Sequence, residues 1–442
     1  MRVGVLLALT MCFFEVHAAE PLNKPDFQDS LQAFFFKTNH AEQSIKPSFI
    51  EFLRASATSR QVIDRFLAQP VWTQYDPELG YIQNNYTGRS PVAAGIDNSA
   101  TISTLQKNGA RTAFMYAGVS ARINTYGDSI TQCNQVNDGE TWQEYLAGHL
   151  GEPVRNFGVG GYGVYQAYRR MLREEASDHG AEYLILTICC DDATRSLFRD
   201  RYPLTRTWGD AELRDRELFG VGVPWPNIEM DLRSGQFVER NSLLPTPESL
   251  YELTKPAWFV EHLKDDLALQ LALYKAGAIK DLNRKAIDKL AAWLDFKFNW
   301  ESKDTLRNQA GTLLDRYGQF ATVAILSKAR DFSASHGKKL LVVLNLTTDW
   351  TRLKTEGMRD DQVVVDYLKK ENFRYLDMNE VHLKDFLKYD LSWADYVLMK
   401  RYAVNDPTGP GHYSPLGNSF IAYSLKDKVV EMLDPKPIPY RK

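Results

Sequence analysis

The first candidate for chemistry is a serine that follows a short apolar strand and precedes a helix. The segment Gly127-Asp128-Ser129-Ile130 stands at that junction. Ligands of parallel α/β sheets bind at the carboxyl ends of the strands, where the first amides of the next helix can face an anion. The backbone N–H of a serine here would point toward any anion that forms beside its hydroxyl. Alternatively, Asp128 or Ser129 only caps the helix, since both residue types cap well.

A glycine-rich segment, Asn156-Phe157-Gly158-Val159-Gly160-Gly161-Tyr162-Gly163, follows the second predicted strand. Its spacing fits G-x-G-x-x-G, which is typical of dinucleotide sites, but it follows the second strand rather than the first. The next acidic strand end, Asp191, is also farther along than the roughly 20 residues expected for a ribose ligand. In the other interpretation, Gly161 offers its N–H to an oxyanion and Asn156 supports the loop.

Two adjacent carboxylates, Asp191-Asp192, follow the third predicted strand. Carboxylates at a sheet edge are costly unless a cation pairs with them, and Arg195 or Arg199 is close enough along the chain to do so. The pair marks either a polar site or the capped start of a helix.

His412 stands in a loop rich in glycine and proline, just before a helix predicted to begin at Ser414 and Pro415. Histidine is the most frequent general base in enzymes, and a stiff loop would hold it in place. The alternative is a histidine that only packs. Asp406 precedes His412 by six residues.

The elements that must position these groups form an α/β pattern. The predicted strands are 122–126, 153–157, 182–189, 340–344 and 373–376. The third is apolar on both faces, and helical periodicity separates the strands, which together indicate a parallel sheet. A mostly helical insertion at about 196–336 interrupts the core at 119–435. Two insertion tryptophans, Trp208 and Trp225, are candidates for lining a glycan groove.

The N-terminal residues are typical of an export signal at 1–18. A positive start precedes the apolar run Val3–Phe14, which is too short to span a bilayer, and Val16-His17-Ala18 places small residues at a cleavage site. We therefore expect a secreted or periplasmic protein without stable membrane insertion. An accessory region at 19–118, helical and then built of short strands, precedes the core.

Composition excludes several classes. The 442 residues carry a net charge of -3, which argues against a nucleic-acid partner held by a basic surface. No cysteine or histidine spacing predicts a metal site, and no cofactor is expected. Without the signal, three cysteines remain, Cys133, Cys189 and Cys190, so at most one internal bridge can form. Adjacent cysteines rarely pair with each other, because the geometry is strained.

Taken in order, Gly127-Asp128-Ser129-Ile130, Asn156 to Gly161, Asp191-Asp192 and Gly411-His412-Tyr413-Ser414 resemble the GDSL/SGNH hydrolase superfamily. The resemblance covers about 300 residues of core in short blocks. It implies a flavodoxin-like three-layer α/β/α fold with a parallel sheet.

The resemblance also implies roles for single residues. Ser129 would be the nucleophile and an oxyanion donor, Gly161 the second donor, and His412 the general base. The family usually has Asn where Asp191 stands, so either Asp191 is protonated, another group donates, or activity is weak. In the family an Asp usually stands three residues before the histidine, but here that position is Gly409. Either Asp406 or a backbone carbonyl would then orient His412, or the site would be a Ser–His dyad without a third member.

The implied activity is that of an exported serine esterase, and its expected substrate is an acylated carbohydrate, with removal of O-acetyl groups, or another small ester. A polysaccharide O-acetyltransferase or a lipid or aryl esterase would use the same Ser–His pair. For a lipid esterase, the apolar helices of the insertion, with Leu271, Leu290 and Trp293, would form a lid. A non-catalytic glycan-binding relative is the remaining alternative.

Overall fold

The structure is a computed structural model that describes residues 46–70, 72–85, 87–89, 101–207, 219–400 and 412–441. The predicted signal at 1–18, the first part of the accessory region, Trp208 and Asp406 lie outside these residues.

The described part of the N-terminal region contains two helices and two antiparallel strand pairs. These are α1 (Phe49–Arg54), α2 (Arg60–Ala68), β1 (Thr73–Asp76), β2 (Gly80–Gln83), β3 (Thr87–Arg89) and β4 (Ile102–Thr104). Ser48 and Glu51 form a capping box that starts α1. Asp76 closes the turn between β1 and β2 by accepting from the N–H groups of Glu78 and Leu79.

The first half of the core alternates strands and helices. Its elements are β5 (Ile123–Tyr126), α3 (Ser129–Gln132), α4 (Trp142–Leu150), β6 (Arg155–Asn156), α5 (Val164–Glu175), β7 (Tyr183–Cys189) and α6 (Asp192–Arg195). All seven residues of β7 are buried, as its apolar sequence predicts for a strand covered on both faces.

The insertion contains helices and one strand pair. Its elements are α7 (Tyr202–Thr205), α8 (Phe219–Gly222), β8 (Asn227–Asp231), β9 (Gln236–Arg240), α9 (Pro256–Leu263), α10 (Leu267–Lys275), α11 (Arg284–Trp293) and α12 (Leu306–Ser335). The antiparallel pair β8–β9 adds strands to a segment whose sequence indicated mainly helices. Gly235 makes its turn at φ +71°, a conformation that favours glycine.

The chain then returns to the sheet. The remaining elements are β10 (Lys339–Asn345), α13 (Trp350–Glu356), α14 (Gln362–Lys370), β11 (Tyr375–Asp377), α15 (Met378–Phe386), α16 (Trp393–Lys400) and α17 (Pro415–Met432). Ser414 caps α17 by accepting from the Gly417 N–H, and Pro415 occupies its first position.

The central sheet has five parallel strands in the order β11-β10-β7-β5-β6, which confirms the prediction of an α/β fold with a parallel sheet. Alternate residues of β7 pack into two apolar clusters on opposite faces. Leu184 and Leu186 join one cluster with α5 and α12, and Tyr183 and Ile185 join the other with α4 and α17. Within the described ranges, no helix is both long and apolar enough to cross a membrane.

Candidate active site

The strand order determines which segments meet at the carboxyl edge of the sheet. β5 lies between β6 and β7, so the residues that follow these three strands are neighbours. The chain leaves β5 toward β6 on one side and later returns to place β7 on the other. Ser129 and Asp191 therefore flank the point where the strand order reverses, which is where open α/β sheets bind ligands.

Ser129 is the first residue of α3, and Asp128 is the N-cap. Asp128 Oδ1 accepts from the Ile130 N–H at 2.9 Å, so the carboxylate performs the capping. The Ser129 hydroxyl is 3.5 Å from Asp128 Oδ2. A side chain at Gly127 would collide with Thr131 Oγ1, so the tight turn before Ser129 requires glycine.

The glycine-rich segment packs directly on α3. A Cβ at Gly158 would collide with the Gln132 backbone nitrogen and lie 2.6 Å from the Thr131 carbonyl carbon. The Gly160 N–H donates to Gln132 Oε1 at 2.7 Å. Asn156 supports the turn, since its Oδ1 accepts from the Gly158 N–H at 3.0 Å. The segment is thus fixed to the helix that Ser129 begins.

Two backbone amides at this edge have the properties of oxyanion donors. Within the described parts of the chain, neither the Ser129 N–H nor the Gly161 N–H donates to a protein acceptor. Gly161 has φ +84°, and its carbonyl accepts from the Arg201 guanidinium at 3.0 Å. The Gly161 N–H itself belongs to the peptide group of the Gly160 carbonyl, which accepts from the Tyr81 hydroxyl at 3.0 Å, so its direction is fixed as well.

Arg195 is buried among three carboxylates that close the edge beside β7. Its distances are 2.5 Å to Asp191 Oδ1, 3.1 Å to Asp192 Oδ1 and 3.8 Å to Asp128 Oδ2. Burial raises the pKa of Asp192 well above its ordinary value, and the nearby Asp128 carboxylate adds to this. Burial likewise raises the pKa of Asp128, although Arg195 opposes the effect.

Asp191 differs from the other two carboxylates. Burial tends to raise its pKa, but Arg195 and Arg201 outweigh burial, so the pKa of Asp191 lies below its ordinary value. Its side chain remains 42% exposed. An ionised carboxylate accepts hydrogen bonds and donates none, so the option of a protonated Asp191 as oxyanion donor is not supported. Asp191 instead holds Arg195 in place.

His412 is fastened to the segment that follows α3. Gln135 Oε1 accepts from the His412 backbone N–H at 3.0 Å and is 2.7 Å from His412 Nδ1. Because a backbone N–H needs an acceptor, the contacting Gln135 atom is oxygen, and Nδ1 must therefore carry a proton. The lone pair is then on Nε2, as a general base requires. Gln135 is fully buried six residues after Ser129, and nothing in the sequence had singled it out.

The next residue anchors the same loop end to the sheet. The Tyr413 hydroxyl donates to Asn345 Oδ1 at 2.6 Å, at the carboxyl end of β10, and Tyr413 is buried. The Ser414 N–H donates to the Lys400 carbonyl at 3.1 Å. His412 therefore lies between two fixed points, Gln135 and the end of β10.

The structure does not join Ser129 directly to His412. Among the described residues, the only hydrogen bond of the Ser129 hydroxyl is the long one to Asp128. Catalytic hydrogen bonds are often long or absent without substrate and tighten in the complex. Asp406, predicted as a possible partner of the imidazole, is not among the described residues.

A cavity of about 1110 Å³ opens beyond Asp191, between the ends of β7 and β10 and helix α12. Asp191 and Arg201 line its sheet side, and Lys275 and Asp315 line it from the insertion. The described residues of its lining include five basic and five acidic side chains, and Ser129, Gly161 and His412 are not among them. Among the described residues, no group of three or more His, Cys, Asp or Glu side chains is placed to hold a metal ion.

Three residues of the insertion differ from expectation. Trp225, predicted as a candidate for a glycan groove, is fully buried, stacks on Tyr81 and donates its indole N–H to the Phe198 carbonyl. It is a core residue, because its ring fills the space between the insertion and β2. Leu271 and Leu290 are also fully buried and belong to the core, whereas Trp293, the third residue predicted for a lid, is 49% exposed.

Comparisons with known proteins found no matching protein-family profile and no matching curated protein. Chains of known structure do match. One is a crystal structure that is 12% identical over 70% of this chain and 95% of the other, with a TM-score of 0.28. At that TM-score the likeness carries no argument.

Proposed function

We propose that this protein is an exported serine esterase of the GDSL/SGNH type that removes O-acetyl groups from a carbohydrate. The observation that carries the proposal is the attachment of His412 to Gln135, six residues after Ser129, which assigns the proton of a neutral imidazole to Nδ1. The strand order gives further support. Numbered along the chain, the sheet is 2-1-3-4-5, which is the flavodoxin-like order that the resemblance implies.

The mechanism follows from the groups at the sheet edge. Ser129 turns away from Asp128 as substrate enters, and His412 Nε2 takes the hydroxyl proton while Oγ attacks the ester carbonyl. The N–H groups of Ser129 and Gly161 hold the oxyanion, and each such donor is worth about 2.7–4 kcal/mol. His412 then gives this proton to the sugar oxygen as its bond to the acetyl carbon breaks, which releases the sugar hydroxyl. Water, deprotonated by His412, releases acetate from Ser129.

The cavity beyond Asp191 supports a polar, uncharged substrate. Its lining does not include Ser129 or His412, but among its described residues five acidic and five basic side chains balance, which favours neither a polyanion nor a polycation. Leu271 and Leu290 are buried, so these two residues give no support to the apolar lid that a lipid esterase would use. An acetylated neutral glycan fits both observations.

The test is covalent labelling of the purified full chain with a serine-directed phosphonate. Cleavage after Arg122 and Arg155 isolates a peptide in which Ser129 is the only serine. We expect the adduct on this peptide, together with a burst of p-nitrophenol from p-nitrophenyl acetate. Ser129→Ala should lose both. Ser424→Ala is the matched control, because Ser424 lies on α17 and its hydroxyl donates within that helix, to the Phe420 carbonyl.

The outcomes also separate the alternatives. An unlabelled wild-type peptide would reject the catalytic proposal in favour of a glycan-binding relative. Labelling that persists in Ser129→Ala would reject Ser129 as the nucleophile. If an acceptor glycan receives acetyl in preference to water, the same Ser129–His412 chemistry belongs to an acetyltransferase.

A further inference from the structure

β7 ends in two adjacent cysteines whose sulfur atoms lie 2.7 Å apart. In a regular strand, neighbouring side chains point to opposite faces, so adjacent thiols do not meet. Cys190 leaves the strand with φ +46°, in the left-handed region that residues other than glycine seldom adopt. This reversal brings its thiol to the side of Cys189. Both cysteines are free in the structure, and this turn removes the separation that ordinarily keeps adjacent thiols apart.

The surroundings of the two thiols differ. Cys189 is fully buried, and burial raises the pKa of its thiol well above the ordinary value. Cys190 is half-buried and lines the cavity beside Asp191, so it is the sulfur that a reagent meets first. The third cysteine, Cys133, is engaged elsewhere. Its buried thiol donates to the Ile130 carbonyl at 3.3 Å, on the helix that Ser129 begins.

We propose that Cys189 and Cys190 form a disulfide with each other, which closes the turn that carries Asp191. The oxidant is a disulfide, either of a protein or of a small thiol compound. The Cys190 thiolate attacks one oxidant sulfur and expels the other as a thiol, which gives a mixed disulfide. Cys189 then gives up its proton and attacks the Cys190 sulfur, releasing the second thiol. Two cysteines and one oxidant disulfide thus become one protein disulfide and two free thiols. The proposal does not depend on the esterase assignment.

The test uses the purified full chain after incubation with glutathione disulfide. The protein is unfolded in N-ethylmaleimide, which labels free thiols, and digested with trypsin. Cleavage after Arg173 and Arg195 gives a peptide in which Cys189 and Cys190 are the only cysteines. We expect this peptide to be unlabelled and lighter by two hydrogen atoms, and to take two labels after reduction. The Cys133 peptide should be labelled in both samples.

Two variants provide matched controls that need no activity assay. Cys133→Ser should leave the result for the Cys189–Cys190 peptide unchanged. Cys190→Ser should leave Cys189 labelled or joined to glutathione. Labelling of both cysteines in the oxidised wild-type protein would overturn the proposal, as would a peptide linked to Cys133. Because these readouts follow covalent state alone, they can fail while Ser129 is still labelled by a phosphonate, and the reverse also holds.

Discussion

The contact between Gln135 and His412 predicts a graded effect of substitution at position 135. Gln135→Leu removes the acceptor of two His412 donors, the backbone N–H and Nδ1–H. A hydrogen bond to a group that becomes charged contributes about 1.5–3 kcal/mol. If that stabilisation is realised as His412 takes up the serine proton, kcat/KM falls by about 10- to 150-fold. Because the bond orients the base, the loss should appear in kcat more than in KM.

Gln135→Glu separates orientation from packing. Its carboxylate keeps an acceptor of nearly the same length, so the imidazole keeps its orientation. A negative charge beside the ring favours the protonated imidazolium, which cannot act as a base. The acidic limb of the pH–rate profile should therefore move upward by about 1–3 pH units, with activity recovered on the alkaline side.

The assay is hydrolysis of p-nitrophenyl acetate between pH 5 and 9, with urea unfolding of each variant as the control for stability. A residue with only a structural role would change the unfolding midpoint without moving the pH profile. If Gln135→Leu keeps wild-type kcat/KM, or Gln135→Glu leaves the acidic limb in place, the assigned role of Gln135 is wrong.

Three further predictions concern stability. Arg195→Met should lower the free energy of unfolding by about 3–5 kcal/mol, because it leaves buried carboxylates without their cation, and urea titration with an unchanged midpoint would contradict this. Gly158→Ala should destabilise the protein and reduce esterase activity, because the added Cβ would collide with the α3 backbone. Gly148→Ala in helix α4 is the control. Its Cβ would meet only a flexible methionine side chain, so urea titration should show a neutral or stabilising effect. Burial raises the pKa of Asp266 to about 6, so the folded state binds this proton more tightly than the unfolded chain. Relative to Asp266→Asn, the wild type should lose about 3 kcal/mol as the pH rises from about 4 to 6, and parallel stability curves for the two proteins would refute this.

The parallel sheet was predictable because the apolar sequence of its strands is distinctive. β7 is apolar at almost every position, which indicates burial on both faces, and helical patterns separate the strands. The meeting of candidate site residues at one edge of the sheet was also predictable, because neighbouring parallel strands place their carboxyl ends side by side. Ser129, Gly161 and Asp191 therefore needed only the correct strand order to become neighbours.

Other features depend on contacts that no local pattern encodes. Gln135 is one polar residue in a loop, and its partner lies 277 positions later. Trp225 was assigned to a surface groove because aromatic content alone does not distinguish a binding residue from a core residue. The ionisation of Asp191 also could not be predicted from sequence, because it depends on the three-dimensional arrangement in which Arg195 meets three carboxylates.

The anchoring of Tyr413 to the end of β10 has a consequence for how this chain tolerates insertions and deletions. On the C-terminal side of His412, the Tyr413 hydroxyl and the start of α17 fix the position of the chain. Gln135, on a distant segment, contacts the imidazole itself. The number of residues between α16 and His412 can therefore change without displacing the base.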